Sequence, residues 1–223
     1  MNRLFDPDSP FMNLVGTIGS VVMINLVGIL LCLPVITVIP SFLAMYYAIA
    51  KTVRAEEGYP VKEYFHALRM FFLKGFLAEV IFAILGVLLV FNRAFAANLS
   101  GIAAVAGVIV YDICLVFLIL IGVWLIPVLS RFTVSFPQYI RLLLSMAFRS
   151  LPVTMILAVL TAAAGLLLWF CPVTVLFVPG LALFLSSFPV ERVLRKYMPS
   201  EEGRDDWYYR IGRKRKQEGD IQE

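Results

Sequence analysis

The chain has 223 residues, of which 61% are hydrophobic and 15% charged, and its net charge is +4. Soluble domains run at about 45–50% apolar and about 25% charged residues, so no water-soluble fold could hide this surplus. The length suits one domain. Cys32, Cys114 and Cys171 are scattered through apolar surroundings, fit neither a zinc site nor a disulfide framework, and read as small buried apolar residues.

The first ten residues, MNRLFDPDSP, are polar and turn-rich. They do not resemble a cleavable signal, because Asp6 and Asp8 accompany Arg3 and the apolar run beyond exceeds the roughly 7–15 residues of an h-region. From Ser9 to Ala50 there is no charged side chain. Ser9 followed by Pro10 reads as an N-cap and a first-turn proline, which opens a span over about 11–33. Asn25 lies near its middle and reads as a hydrogen-bonded link to a neighbouring helix. Unbroken, the whole charge-free run would be about 63 Å long, twice the hydrocarbon core. Pro34 and Pro40 therefore mark a break. The next piece, about 41–54, is expected to lie along the cytoplasmic face, with Tyr46 and Tyr47 at the boundary that aromatic rings favour.

After the turn EEGYP, residues 61–73 read as an amphipathic helix, with Val61, Tyr64, Phe65, Leu68 and Phe72 on one face and Lys62, His66 and Arg69 on the other. It is either a solvated connector or a docking surface. His66 is the single histidine, too little for a metal cluster. A span over about 75–91 follows and contains Glu79. Its Phe, Leu, Ile and Val residues contribute about −4 to −7 kcal/mol to insertion, more than the roughly +2.5 to +3.5 of one central acid.

The next span, about 108–130, contains Asp112. A second amphipathic helix is expected over 137–149. Gln138, Arg141, Ser145 and Arg149 share one face, and Tyr139, Ile140, Leu143, Leu144 and Phe148 point away from it. Ser150–Val190 is again free of charge and accommodates two spans, about 151–170 and 173–190, turning at Cys171–Pro172, with a kink expected at Pro179–Gly180. A charged tail fills 191–223. Its cluster Arg213, Lys214, Arg215 and Lys216 suits anionic lipid at about 1 kcal/mol per cation, or simply fixes orientation. It is too short, and lacks the recognition fold, for nucleic acid.

Seventeen of the nineteen Lys and Arg residues fall in 51–74, 131–149 and the tail. With five crossings all seventeen share one side, which is cytoplasmic by the positive-inside rule. The N-terminus is then outside and the C-terminus inside. A six-crossing alternative splits Ser9–Ala50 into a hairpin and brings the N-terminus inside. The short, proline-broken second arm favours five.

Ionisable residues inside a membrane are functional candidates by default. Counting from the cytoplasmic cations, Glu79 lies about 8 Å deep and Asp112 about 28 Å. They occupy opposite leaflets and do not form an acid–base pair. Glu79 is expected to meet a cation such as Arg149 or to reach water, and Asp112 to be solvated at the outer surface. A transport reading would make both part of a polar path. No nucleophile–base set, metal-ligand helix or phosphate loop is visible, so the chain does not read as an enzyme and calls for no cofactor or metal. Gly16/Gly19 and Gly101/Gly107 are weak helix-packing signals.

Two parts of the chain share an order of events. A span ends at Leu33–Val35 or Ile126–Val128, and an amphipathic helix then ends at Ala67–Arg69 or Ala147–Arg149. FDPDSPF near the start, NLVGILLCLPVITVIPSFLAMYYAIAKTVRAEEGY through the broken span and IPVLSRF after the third span resemble the YesL-like membrane proteins of Gram-positive bacteria. That resemblance implies a small multi-spanning protein of undetermined function. It also implies association with carbohydrate uptake, since the family is often encoded beside components of sugar ABC transporters. HALRMFFLKG departs from the permease coupling signature, lacking its paired alanines and its acid before the glycine. The expectation is an all-α polytopic protein of the cell membrane, with about five transmembrane helices and two amphipathic cytoplasmic helices. Its expected role is accessory or regulatory, with the bilayer and a sugar ABC transporter or another membrane protein as partners. The alternative is a transporter of a small solute.

Overall fold

The computed structural model describes residues 10–132 and 136–195, which contain helices and connecting turns and no strand. α1 spans Pro10–Leu31, α2 Val38–Ala48, α3 Pro60–Ala97, α4 Ile102–Arg131, α5 Phe136–Arg149, α6 Leu151–Phe170 and α7 Val178–Leu194. A π-helical turn, Ile49–Arg54, prolongs α2. The proteins's four longest apolar segments, Val35–Arg54, Pro60–Ala97, Ile102–Arg131 and Leu151–Phe170, are each long and apolar enough to cross a bilayer, and Val15–Leu31 is a shorter apolar helix.

The break at Pro34 and Pro40 is a hairpin turn. α1 packs back against both α2 and the π-helical turn beyond it. The backbone groups that a turn frees need partners, and here side chains supply some of them. The Thr37 hydroxyl donates to the carbonyls of Leu31 and, at 2.7 Å, of Pro34, and Ser41 Oγ donates to Gly28 O at 2.9 Å.

α3 is continuous over 38 residues. The expected separate helices at 61–73 and 75–91 are one, because nothing between Lys74 and Gly75 caps or breaks a helix. Pro60 sits in its first turn, where no intrahelical donor is lost. α3 and α4 run antiparallel: Gly122 faces Phe82, Gly86 faces Leu118 and Gly107 faces Ala96. α5 packs on α4 and α6, and α6 on α7.

The segment expected to lie on the cytoplasmic surface, about 41–54, is instead the centre of the core. Leu43, Ala44, Met45, Tyr46, Ala48, Ile49 and Ala50 are fully buried, packed against Tyr64, Phe71, Trp124, Val128 and Val190. On α3 the buried stripe is Tyr64, Ala67, Phe71 and Gly75, while Phe65 and Phe72, expected on the apolar side, are exposed. On α5 the core takes Leu143, Met146 and Ala147; Ile140, Leu144 and Phe148 form a separate exposed stripe, and Arg141 and Arg149 lie exposed beside it.

The outward surface is apolar throughout the spans. Ile109, Val110, Ile113, Val116, Phe117 and Ile119 of α4 are all exposed, while Asn25, Ser41, Thr154, Ser187 and Glu191 are buried. That inversion of the soluble pattern suits a hydrocarbon solvent. It also overturns the reading of two cysteines: Cys114 and Cys171 are exposed, and Cys32 is half-buried.

α6 ends at Phe170, followed by a 3-10 turn, Pro172–Leu176. Pro179 falls in the first turn of α7 and produces no kink there. α7 continues to Leu194, with Val190, Glu191, Val193 and Leu194 buried. α7 therefore runs past the expected boundary at 190/191, and residues 191–194 pack with the bundle.

Candidate functional site

The polar groups inside the bundle gather where helices break or converge. Asn25 bridges α1 to the entry of α7. Its Oδ1 accepts the Gly180 N–H at 2.6 Å, and its Nδ2 donates to Val175 O at 3.0 Å. Gly180 N–H is one of the donors that the first turn of α7 cannot satisfy internally, so the single mid-span amide of α1 serves as its cap. A Cβ at Gly180 would lie 2.8 Å from that of Asn25, so this close approach needs glycine.

Glu79 has the corresponding task at α2. Its Oε2 accepts the Ile39 N–H at 3.2 Å. The proline break frees the first N–H groups of α2, and a carboxylate there meets both an orphan donor and the positive end of the helix dipole. The expected partner Arg149 is not the one found. Glu79→Ala is expected to destabilise the protein by about 0.5–2 kcal/mol, the range for losing a cap, read as a lower thermal midpoint in detergent. Glu79→Gln keeps an acceptor and should lose clearly less. Equal losses would mean that charge, and not the bond, matters.

Asp112 pairs with Arg93 near the α3–α4 turn, both side chains being nearly half exposed. The expected solvated acid is thus an ion pair at the bundle end. Asp112→Asn is expected to leave the thermal midpoint unchanged, as exposed pairs contribute little.

The most buried charges were not singled out by the sequence. Arg131, the last residue of α4, and Glu191 of α7 form an ion pair whose side chains are 2% and 3% exposed. Both Arg131 Nε, at 3.2 Å, and Nη2 donate to Glu191 Oε1. Tyr46 Oη donates to the same oxygen at 3.2 Å. Glu191 Oε2 is buried and has no hydrogen-bond partner among the described residues. Beside them, Arg54 Nη1 donates to Ser187 O at 2.6 Å and lies 4.3 Å from the centre of the Phe188 ring. α2 and α4 thereby converge on one carboxylate of α7, and the π-helical extension is tied to α7 beside it. The available signal was positional: Arg131 and Glu191 are each the first charge after a long apolar run.

A second buried polar pair, Ser41 Oγ and Tyr64 Oη at 2.6 Å, ties α2 to α3, and Trp124 Nε1 donates to Thr154 Oγ1 at 2.9 Å, tying α4 to α6. Lys51 pairs with Glu63 at 2.8 Å. Of the residues proposed for partner contact, Lys62 and Arg69 are exposed on α3, and Arg141 and Arg149 on α5. Arg213, Lys214, Arg215 and Lys216 lie outside the described residues. Asn25, Glu79 and Asp112 do not form one site, since each bonds a different pair of elements. Among the described residues no group of three His, Cys, Asp or Glu side chains could hold a metal.

The fold and its polar joints define a polytopic helical membrane protein. Within it, residues 21–93 match the model of a family described as "Protein of unknown function, DUF624", from the second half of α1 to near the end of α3. Neither curated proteins nor solved structures yield a match. The matched segment contains the hairpin, the Glu79 cap and the buried α2.

Proposed function

We propose that the protein is a non-enzymatic accessory or regulatory component of the cell membrane, YesL-like and associated with carbohydrate uptake. The observation that carries this reading is the use of the intramembrane polar side chains. Asn25, Ser41, Glu79 and the Arg131–Glu191 pair each join helices, and cations stay exposed on α3 and α5, at Lys62, Arg69, Arg141 and Arg149. A bundle closed by its own polar groups suits a protein that acts through its surface.

α1 folds back along α2 and the π-helical turn that carries Lys51 and Arg54, so this segment suits a hairpin better than a single crossing.

The test is co-purification of the full chain from native membranes in mild detergent. The expected result is a membrane component of a sugar ABC transporter in stoichiometric amount, lost when Lys62→Glu and Arg69→Glu are combined. Recovery of the chain alone, with sugar uptake abolished by Glu79→Gln and Asp112→Asn together, would overturn the reading in favour of direct transport.

A further inference from the structure

Between α3 and α4, under one edge of α5, runs a groove of about 440 Å³. Its walls are one seam of α3, from Lys74 through Ala78 and Phe82 to Leu85, and one seam of α4, from Leu118 to Leu129, and Tyr139, Ile140, Leu143 and Leu144 of α5 close one side. Leu77, Leu85, Ile140 and Leu144 on its rim are exposed, so the groove opens to the surrounding hydrocarbon. Eleven residues separate Lys74 from Leu85, which at 1.5 Å per residue is about 16 Å. A bilayer core of ~30 Å has leaflets of about half that thickness, so the groove is one leaflet deep.

Among the described residues its lining is apolar with two exceptions, Lys74 and Tyr139. Lys74 is the only charged side chain in it, at one end. Among the described residues Lys74 enters no ion pair, while the nearest acid deeper on α3, Glu79, is committed to the Ile39 N–H. The other polar group of the lining, the Tyr139 hydroxyl, donates to Phe132 O. An ammonium at the mouth of a leaflet-long apolar slot is complementary to one kind of molecule present at that depth.

We propose that this groove is a binding site for an anionic phospholipid of the leaflet on the Lys74 side, with one acyl chain lying between α3 and α4 and the phosphate meeting Lys74 Nζ. α5 then has a task of its own: its partly exposed Ile140–Leu144 stripe covers the chain from the side.

The experiment uses the full chain, purified and delipidated, and native mass spectrometry with added phosphatidylglycerol or phosphatidylcholine. The expected result is one tightly held phosphatidylglycerol per chain, preferred over phosphatidylcholine by about fivefold, the worth of one cation at an anionic surface. Lys74→Gln is expected to abolish that preference while leaving the fold intact, since among the described residues the side chain enters no ion pair that would be lost. Soluble glycerol phosphate in excess should not displace the lipid, because it lacks the chain that fills the slot; displacement would overturn the proposal in favour of a free-phosphate site. A phosphatidylglycerol carrying a photoreactive acyl chain should label residues 77–85 and 140–144. Equal retention of the two lipids, a preference that survives Lys74→Gln, or labelling spread evenly over the lipid-facing helices would each overturn it.

Discussion

Glu191→Leu is expected to be among the most damaging single substitutions in the chain, lowering stability by about 3–5 kcal/mol. The side chain it removes is 3% exposed and is the acceptor for Arg131 and Tyr46 together. Its loss takes from the 2%-exposed Arg131 guanidinium the buried carboxylate that it bonds, and a guanidinium cannot shed its proton. Tyr46 would lose an acceptor at the same moment. Arg131→Met should also be damaging, because the buried Glu191 would lose the cation it bonds and would either stay charged without it or have to take up a proton. The double substitution Arg131→Met with Glu191→Leu removes both charges, and an apolar pair of similar volume is often as stable as a buried ion pair. It should recover most of the loss. Tyr46→Phe removes one neutral donor and should cost about 0.5–1.5 kcal/mol. Apparent thermal midpoints in one detergent, taken for the two singles and the double, close the cycle. A double variant as unstable as the sum of the singles would show that the two side chains do not act as a pair.

How far the sequence could be read follows from what a bilayer rewards. Composition and the uninterrupted run from Ser9 to Ala50 were enough for an all-α membrane fold, since nothing else tolerates such a run. Pro34 and Pro40 located the break, because a missing donor acts locally. What periodicity could not decide was which apolar residues face protein and which face lipid. Leu33 and Met45 are both apolar, yet one is 76% exposed and the other fully buried. In water the difference would appear as alternation with polar residues; in hydrocarbon both environments accept the same side chains. Small residues were the usable signal. Ser41, Ala44, Ala48 and Ala50 crowd the segment that proved to be the core, and small side chains are what let helices approach in a membrane. Glu191 was missed because a charge at the end of an apolar run is naturally assigned to the tail, and its partner Arg131 stands sixty residues away. Asn25 was legible as a link, and its partner on α7 was not.

The glycines separate the two environments most sharply, and Gly75 gives the second large effect. A Cβ there would lie 2.9 Å from the Pro40 Cα and 3.0 Å from Leu43 Cδ1, and a backbone atom cannot step aside as a side-chain tip can. At Gly28 the nearest atom would be the sulfur of Met45 at 2.4 Å, which a flexible side chain can withdraw. The pairs Gly16/Gly19 and Gly101/Gly107, which the sequence suggested as packing motifs, behave differently: only Gly107 touches a neighbour, Ala96, while the other three have open space around them. In a helix interior alanine is better than glycine by about 0.8–1 kcal/mol. Gly19→Ala is therefore expected to be neutral or stabilising, since nothing opposes the gain. Gly75→Ala should reverse the sign, because α2 must move off α3. Gly75→Leu should cost about 1–3 kcal/mol for overpacking, and more where the shift also pulls Ile39 N–H away from Glu79 one turn beyond. The two alanine variants carry the same chemical change in the same kind of element, so opposite shifts in thermal midpoint would isolate the contact between α2 and α3 from helix propensity. Stabilisation of both would mean that the two helices are not held at glycine distance. Adding Glu79→Ala to Gly75→Leu then completes the argument: if the crowding acts by displacing α2, the cap is already lost in the leucine variant, and the second substitution should add less than it does in the wild-type chain.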